Sequence, residues 1–291
     1  MVRVKIVEII YRYGGNDVAP RPRPADAEAA RERLDHGSRA ISALLDVSSR
    51  DAETTRRIIP VDPRDLGLGS GATGAPEQRP YAAVLGCSDA RVPIELIFNE
   101  GPNDLFVIRV AGNGLGGEVL GSLSYAVDHL GGSLKLVVVI GHSGCGAVSA
   151  AVDVVLNPQT YLALAEKHAL RSILDRLLVV VHAAMNRMEA VHGADVTQRR
   201  RYREALIEVA VVTNAALAAY TIQQELGTQR KDLRAVYGVY LLSRRQVWAP
   251  RHGSAECAGL AYPPPDLNAF SAFADAVVQS DRISALLGQV E

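Results

Sequence analysis

Tyr81-Ala82-Ala83-Val84-Leu85-Gly86 is a short run without a charge, closed by a glycine and followed at once by Cys87-Ser88-Asp89-Ala90-Arg91. A brief, continuously apolar run that stops at a glycine predicts a strand buried on both faces. Similar runs, each with a single charge, return at Leu105–Ala111, with Arg109, and at Leu134–Gly141, with Lys135. Between these runs, Pro93–Phe98 predicts a helical turn and Glu118–Leu130 a helix. Strands alternating with helices imply an α/β fold, a mostly parallel β-sheet flanked by helices. After the third core strand comes a long helical segment, roughly Gly146–Leu226, with breaks at Asn157-Pro158 and Gly193-Ala194. Leu233–Leu242 predicts a fourth strand. The tail from Pro250 is loop-rich and ends in a helix over Phe270–Leu287.

Upstream of the core the signals are different. Val2–Tyr13 has the composition of a strand, Pro20–Pro24 is an extended spacer, and Ala25–Ile59 carries helical periodicity through Ala29, Leu34, Ile41, Leu44 and Leu45. Gly67–Pro80 is a loop. The expected organisation is therefore residues 1–80 as strand, linker and N-terminal helical arm, and residues 81–291 as the α/β domain.

With 31 basic and 32 acidic side chains the net charge is −1, which argues against a nucleic-acid footprint or a polybasic membrane anchor. At 48% hydrophobic and 22% charged residues, the 291-residue chain has the mix of a globular protein with a sizeable core. Three cysteines do not make a disulfide scaffold and fit a reducing, cytoplasmic setting. Arg3, Lys5 and Glu8 interrupt the first apolar run, unlike a signal peptide. The longest apolar candidates, Leu134–Gly141 and Leu177–Met185, are shorter than the ~18 residues of a membrane span.

Chemistry concentrates where the strands end. Cys87 follows the first core strand, and His142 and Cys145 follow the third within Gly141-His142-Ser143-Gly144-Cys145-Gly146. In parallel sheets the carboxyl ends of the strands line the ligand crevice. Taken singly, a cysteine at a strand end is ordinarily a small buried hydrophobe. Together, two thiolates and an imidazole form a Cys₂His set, which in zinc enzymes leaves a fourth position open. Cys87 stands 55 residues before His142, a separation that suits an assembled site better than a zinc finger.

Cys87-Ser88-Asp89-Ala90-Arg91, Leu105-Phe106-Val107-Ile108-Arg109, Ala111-Gly112-Asn113, Gly121-Ser122-Leu123-Ser124-Tyr125-Ala126-Val127 and Gly141-His142-Ser143-Gly144-Cys145-Gly146-Ala147-Val148 together resemble the β-class carbonic anhydrases. The resemblance runs from about Gln78 to Ala151 and resumes at Val236–Tyr240. It implies one zinc ion per chain on Cys87, His142 and Cys145, an Asp89–Arg91 pair, and attack of zinc-bound hydroxide on carbon dioxide to give bicarbonate and a proton. It also places Gln78 as a substrate-orienting amide, Phe106, Ala111 and Tyr125 on an apolar pocket wall, and Gly146 beside them. A homodimer or higher even oligomer is implied, with each site at a subunit interface and the helical arm laid over a partner. In some family members the aspartate leaves its arginine and binds zinc, which makes Asp89 a fourth metal candidate. Bicarbonate stabilises that state from a pocket built on a tryptophan and an arginine. The arginine position is Arg109 here, but the tryptophan position is Val84, which has no N–H to donate.

The chemistry also follows from residue types. Metal lowers the pKa of bound water to about 7, a value taken from carbonic anhydrases of the three-histidine kind. Asp89 is placed to accept the hydroxide's proton in a hydrogen bond, and Arg91 to hold Asp89. Carbon disulfide and carbonyl sulfide share the linear shape of carbon dioxide, so a zinc hydrolase of either remains an alternative, as does a non-catalytic scaffold. Gly112-Asn113-Gly114-Leu115-Gly116-Gly117 satisfies G-x-G-x-x-G, yet the acid of a dinucleotide site is missing at Gly141-His142. Gly141-His142-Ser143-Gly144-Cys145 fails as a nucleophile elbow at its last residue. Arg199–Arg201 with Arg203 predicts a solvated helix face, and Cys257 a free thiol.

Overall fold

Strands β3 (Ala82–Gly86), β4 (Leu105–Arg109), β5 (Leu136–His142) and β6 (Arg234–Leu241) form the centre of the protein. Each is short, and β3 and β5 are buried along their whole length. In this computed structural model, residues 6–13, 21–46, 55–68, 74–162, 167–250 and 259–288 are described. Expectations touching residues 2–5, Pro20, 47–54, 69–73 and Cys257 lie outside them.

The sheet order is β4-β3-β5-β6-β7, parallel except for β7 (Gln246–Trp248), which runs antiparallel to β6. Successive side chains alternate across a strand, and that alternation divides the core in two. Ala83, Leu85, Val137 and Val139 face one side, under α3 (Gly117–His129), α4 (Gly146–Leu156), α6 (His168–His192) and α7 (Tyr202–Leu226). The short α5 (Gln159–Leu162) joins α4 towards α6, while α8 (Leu267–Val278) and α9 (Asp281–Leu287) complete this layer. Ala82, Val84, Leu136, Val138 and Ile140 face the other side, under α1 (Ala27–Leu44) and α2 (Ile94–Phe98). The mostly parallel sheet flanked by helices is thus the observed architecture.

The upstream expectations change in part. Among the described residues of Ala25–Ile59, the helix is α1 alone, started by Asp26, whose side chain accepts the Ala29 N–H. Residues Thr55–Val61 form a strand, β2, paired in parallel with β1 (Val7–Tyr13) in a separate two-stranded sheet. Helix α1 lies on its own chain's sheet, where Ala30 and Leu34 pack with Ile94, Ile97 and Phe98. Arg33 on α1 reinforces this contact, donating to the fully buried Glu100 from Nε at 3.0 Å and Nη2 at 2.5 Å. The same guanidinium sits 4.5 Å over the Tyr81 ring.

The length expectation for apolar segments also needs correction. Helix α7 is long and apolar enough to cross a membrane, but 78% of its apolar window is buried inside the protein, where it acts as a core helix against β5 and β6.

Candidate metal centre

Strand β3 stops at Gly86, so Cys87 leaves the sheet at the carboxyl end of a central strand. Gly86 is in register with Ile140 on β5, which brings His142, the last residue of β5, alongside. The turn Ser143-Gly144 then leads to Cys145, the N-cap residue of α4. Gly144 has φ of +61°, a left-handed conformation that glycine adopts without a Cβ penalty. The sulfurs of Cys87 and Cys145 lie 3.9 Å apart. With a ring nitrogen of His142, the three ligand atoms fall within 4.8 Å of one another, and all three residues are buried.

This geometry fits a metal ion. A disulfide needs about 2.05 Å between sulfurs, whereas two zinc–sulfur bonds of about 2.3 Å at the tetrahedral angle separate their sulfurs by about 3.8 Å. His142 Nδ1 faces the Ser143 carbonyl oxygen at 3.1 Å, which assigns the ring proton to Nδ1 and leaves Nε2 as the lone-pair nitrogen. That Nε2 is buried without a hydrogen-bond partner, an arrangement costing about 1–3 kcal/mol if nothing else binds it. Two sulfurs and one imidazole form a donor set suited to zinc.

A hydrogen bond from Cys145 holds the pKa of Cys87 down at about 4, and the same bond, reinforced by burial, raises that of Cys145. The Cys87 sulfur also accepts the Gly112 N–H at 3.3 Å. Burial works against the imidazolium of His142, but the Cys87 sulfur, the Ser143 carbonyl and Asp89 together outweigh it, so the pKa is raised.

Asp89 stands beside the three ligands and outside them. Its Oδ1 accepts the Arg91 backbone N–H at 2.9 Å and Nε at 3.0 Å, and its Oδ2 accepts Nη2 at 2.7 Å. The Arg91 side chain holds this carboxyl well below the usual carboxylate range, against a smaller opposing effect of burial. Oδ2 lies 3.7 Å from His142 Nε2. Of the four metal candidates, the structure gathers Cys87, His142 and Cys145 and leaves Asp89 on Arg91. Arg109 donates to the backbone oxygens of Cys87, at 3.0 Å, and Asp89, at 2.5 Å, and so ties down the loop that carries both.

The expected substrate-side residues are more dispersed. Gln78 is exposed in the segment before β3, and Gly146 is exposed at the start of α4. Tyr125 is 49% exposed on α3, stacked on His129 with ring centroids 4.4 Å apart. Ala111 is half-buried in a 3-10 turn, and Phe106 packs against the core that holds Cys87 and Cys145. A cleft of about 1030 Å³ lies behind the ligand turn, with Ser143, Gly144, Glu208, Trp248 and Arg282 among its walls and none of the three ligand side chains.

The glycine cluster serves the metal centre. Gly112, at φ +66°, donates its N–H to Cys87 and offers its carbonyl to Asn214 Nδ2 at 2.9 Å. Arg203 of the basic run pairs with Asp153. Sequence reasoning did not single out Glu208 or Asn214, two buried polar residues on α7 that reach the ligand loops. Their signal was a polar side chain inside an apolar run, Ala205–Ala216.

The sequence matches the carbonic anhydrase family model over residues 82–245, more than half of the chain. A segment of 86 residues is 47% identical to Carbonic anhydrase 2 of Mycobacterium tuberculosis, covering 30% of this chain and 38% of that protein. A segment of 82 residues is 48% identical to a carbonic anhydrase of Pseudomonas aeruginosa, covering 26% of this chain and 36% of that one. The chain thus spans less than two fifths of the length of these curated relatives. Among solved structures, the β-carbonic anhydrase CcaA aligns with a TM-score of 0.46 at 27% identity, over 59% of this chain and 80% of that one.

Proposed function

The chain belongs to the β-carbonic anhydrase family, and from that premise we propose that it catalyses the reversible hydration of carbon dioxide to bicarbonate and a proton, with one zinc ion held by Cys87, His142 and Cys145. The observation that carries this reading is the convergence of three buried ligand atoms beside an ionised carboxylate already fixed by an arginine. Zinc bound there supplies a Lewis acid that makes hydroxide available from water near neutral pH.

The chain's own residues supply the positioning. Asp89, held in place by Arg91, accepts the O–H of the attacking group and turns its lone pair towards carbon. Arg91 prevents the carboxylate from swinging onto the ligands, and Arg109 fixes the backbone beneath it. Gln78 donates to a substrate oxygen, while Phe106, Ala111, Tyr125 and Gly146 form the wall beside the substrate. Because Gln78 and Tyr125 face solvent in one chain, we infer a homodimer or higher even oligomer in which a partner subunit closes each pocket. Two buried free thiols agree with a reducing, cytoplasmic location.

Stopped-flow hydration of carbon dioxide by the zinc-loaded protein, run beside sulfide release from carbon disulfide, tests the proposal. Hydration far above the buffer rate supports it. Sulfide release without hydration would transfer the same site to hydrolysis of carbon disulfide or carbonyl sulfide.

A further inference from the structure

We propose that Glu208, held by Arg282, is a positioning residue for the metal centre, fixing the Gly144 turn and through it the place of the Cys145 sulfur. The proposal rests on the metal centre described above and adds to it a support from outside the ligand loops.

Glu208 is 8% exposed, on a stretch of α7 that is otherwise apolar. A buried carboxylate is tolerated only when its oxygens are paired. One oxygen accepts the Gly144 N–H at 2.9 Å. The other accepts from the Arg282 guanidinium on α9, from Nε at 3.1 Å and from Nη2. Gly144 lies directly between the ligands His142 and Cys145, in the left-handed conformation that sets the direction of the turn. Its N–H points away from the sheet ladder and towards α7, so the carboxylate determines how far the turn can relax.

The same helix grips the other ligand loops. Asn214, also 8% exposed, donates to the Gly112 carbonyl, and the Gly112 N–H in turn donates to the Cys87 sulfur. Val211 and Ala215 press against Gly141, where a Cβ would come within 3.1 Å of Val211 Cγ1, just before His142. Helix α7 therefore holds the segments of all three ligands, and Glu208 supplies the contact nearest Cys145. Partners that orient metal ligands in this way are worth about 10–100-fold in metal affinity or activity.

The test measures zinc affinity of the full chain against a chromophoric chelator, with thermal unfolding of the metal-stripped proteins in parallel. Glu208→Ala should bind zinc about 10–100-fold more weakly than wild type. Glu208→Gln, which keeps an oxygen for the Gly144 N–H, should recover most of that loss. Ile222→Ala, a core truncation on the same helix away from both loops, should lower the unfolding temperature without weakening zinc. Cobalt-substituted Glu208→Ala should show altered visible bands, and cobalt-substituted Ile222→Ala should not. Wild-type affinity and an unaltered cobalt spectrum in Glu208→Ala would overturn the proposal, as would equal weakening in Ile222→Ala. If Glu208→Ala does not fold, Arg282→Ala carries the test, with a smaller weakening in the same direction expected and unchanged affinity and spectrum overturning it. A wild-type chain with no zinc affinity would overturn the metal centre itself, and the proposal with it.

Discussion

Replacing Arg91 with alanine separates ionisation from orientation at Asp89. The guanidinium makes two of the three hydrogen bonds on this carboxylate, at 3.0 and 2.7 Å, while the Arg91 backbone N–H, at 2.9 Å, survives the substitution. The depressed pKa of Asp89 owes most to the same side chain. Without it the carboxyl returns towards its ordinary value of about 3.9, still ionised at pH 7. Loss of charge therefore cannot explain a slower variant at neutral pH, and the effect must come from orientation. Removing a group that stabilises or aims the transition state entirely costs about 10²–10³ in rate, which is the expectation for Asp89→Ala. With one bond retained, Arg91→Ala should fall less, by about 10–10². Both variants should keep zinc, because neither residue is among the three ligands. The assay is stopped-flow hydration at pH 7–9 with zinc content measured on the same samples. A wild-type rate in Arg91→Ala, or a larger loss there than in Asp89→Ala, would refute the orienting role.

Zinc loading should release protons. Cys87 is already low, at about 4, while the pKa values of Cys145 and His142 are raised, so at pH 7 zinc displaces the Cys145 proton and that of the imidazolium fraction of His142. Apparent affinity should fall as pH drops, and calorimetry in two buffers of different ionisation enthalpy that detects no proton release would contradict this. Light scattering at micromolar concentration should give a dimer or a higher even oligomer; a stable monomer would remove the subunit-interface pocket. Val84 is fully buried on the α1–α2 face of the sheet, and Arg109 is engaged with the backbone of Cys87 and Asp89. Bicarbonate therefore has little here to favour a state with Asp89 turned onto the metal, and inhibition by bicarbonate should be hyperbolic, with sigmoidal inhibition as the contrary result.

The central strands were legible because both faces of β3 and β5 are covered. That demands the continuous Ala, Val, Leu and Ile seen at Ala82–Leu85 and Leu136–Ile140. The ligands were legible for a related reason, since Cys87 and His142 sit where those apolar runs end. Strand β2 was hidden because Arg56, Arg57 and Pro60 disguise it, and because its pairing with β1 joins Val7 to Thr55 across a long stretch of chain. Proline is tolerated there in a two-stranded sheet, where every strand is an edge. Strand β7 spans only Gln246–Trp248 and owes its form to pairing with β6. The end of α7 at Leu226 was legible, but its apolar character was not, because Glu208 and Asn214 interrupt the run, and these are the side chains that reach back to the ligand loops.

X-ray absorption at the zinc edge of the loaded protein addresses the coordination by Cys87, His142 and Cys145 directly. The account predicts two sulfur neighbours at about 2.3 Å and one imidazole nitrogen at about 2.0–2.1 Å, with the remaining position taken by a light atom. A first shell with no sulfur, or one made of four sulfurs, would contradict it.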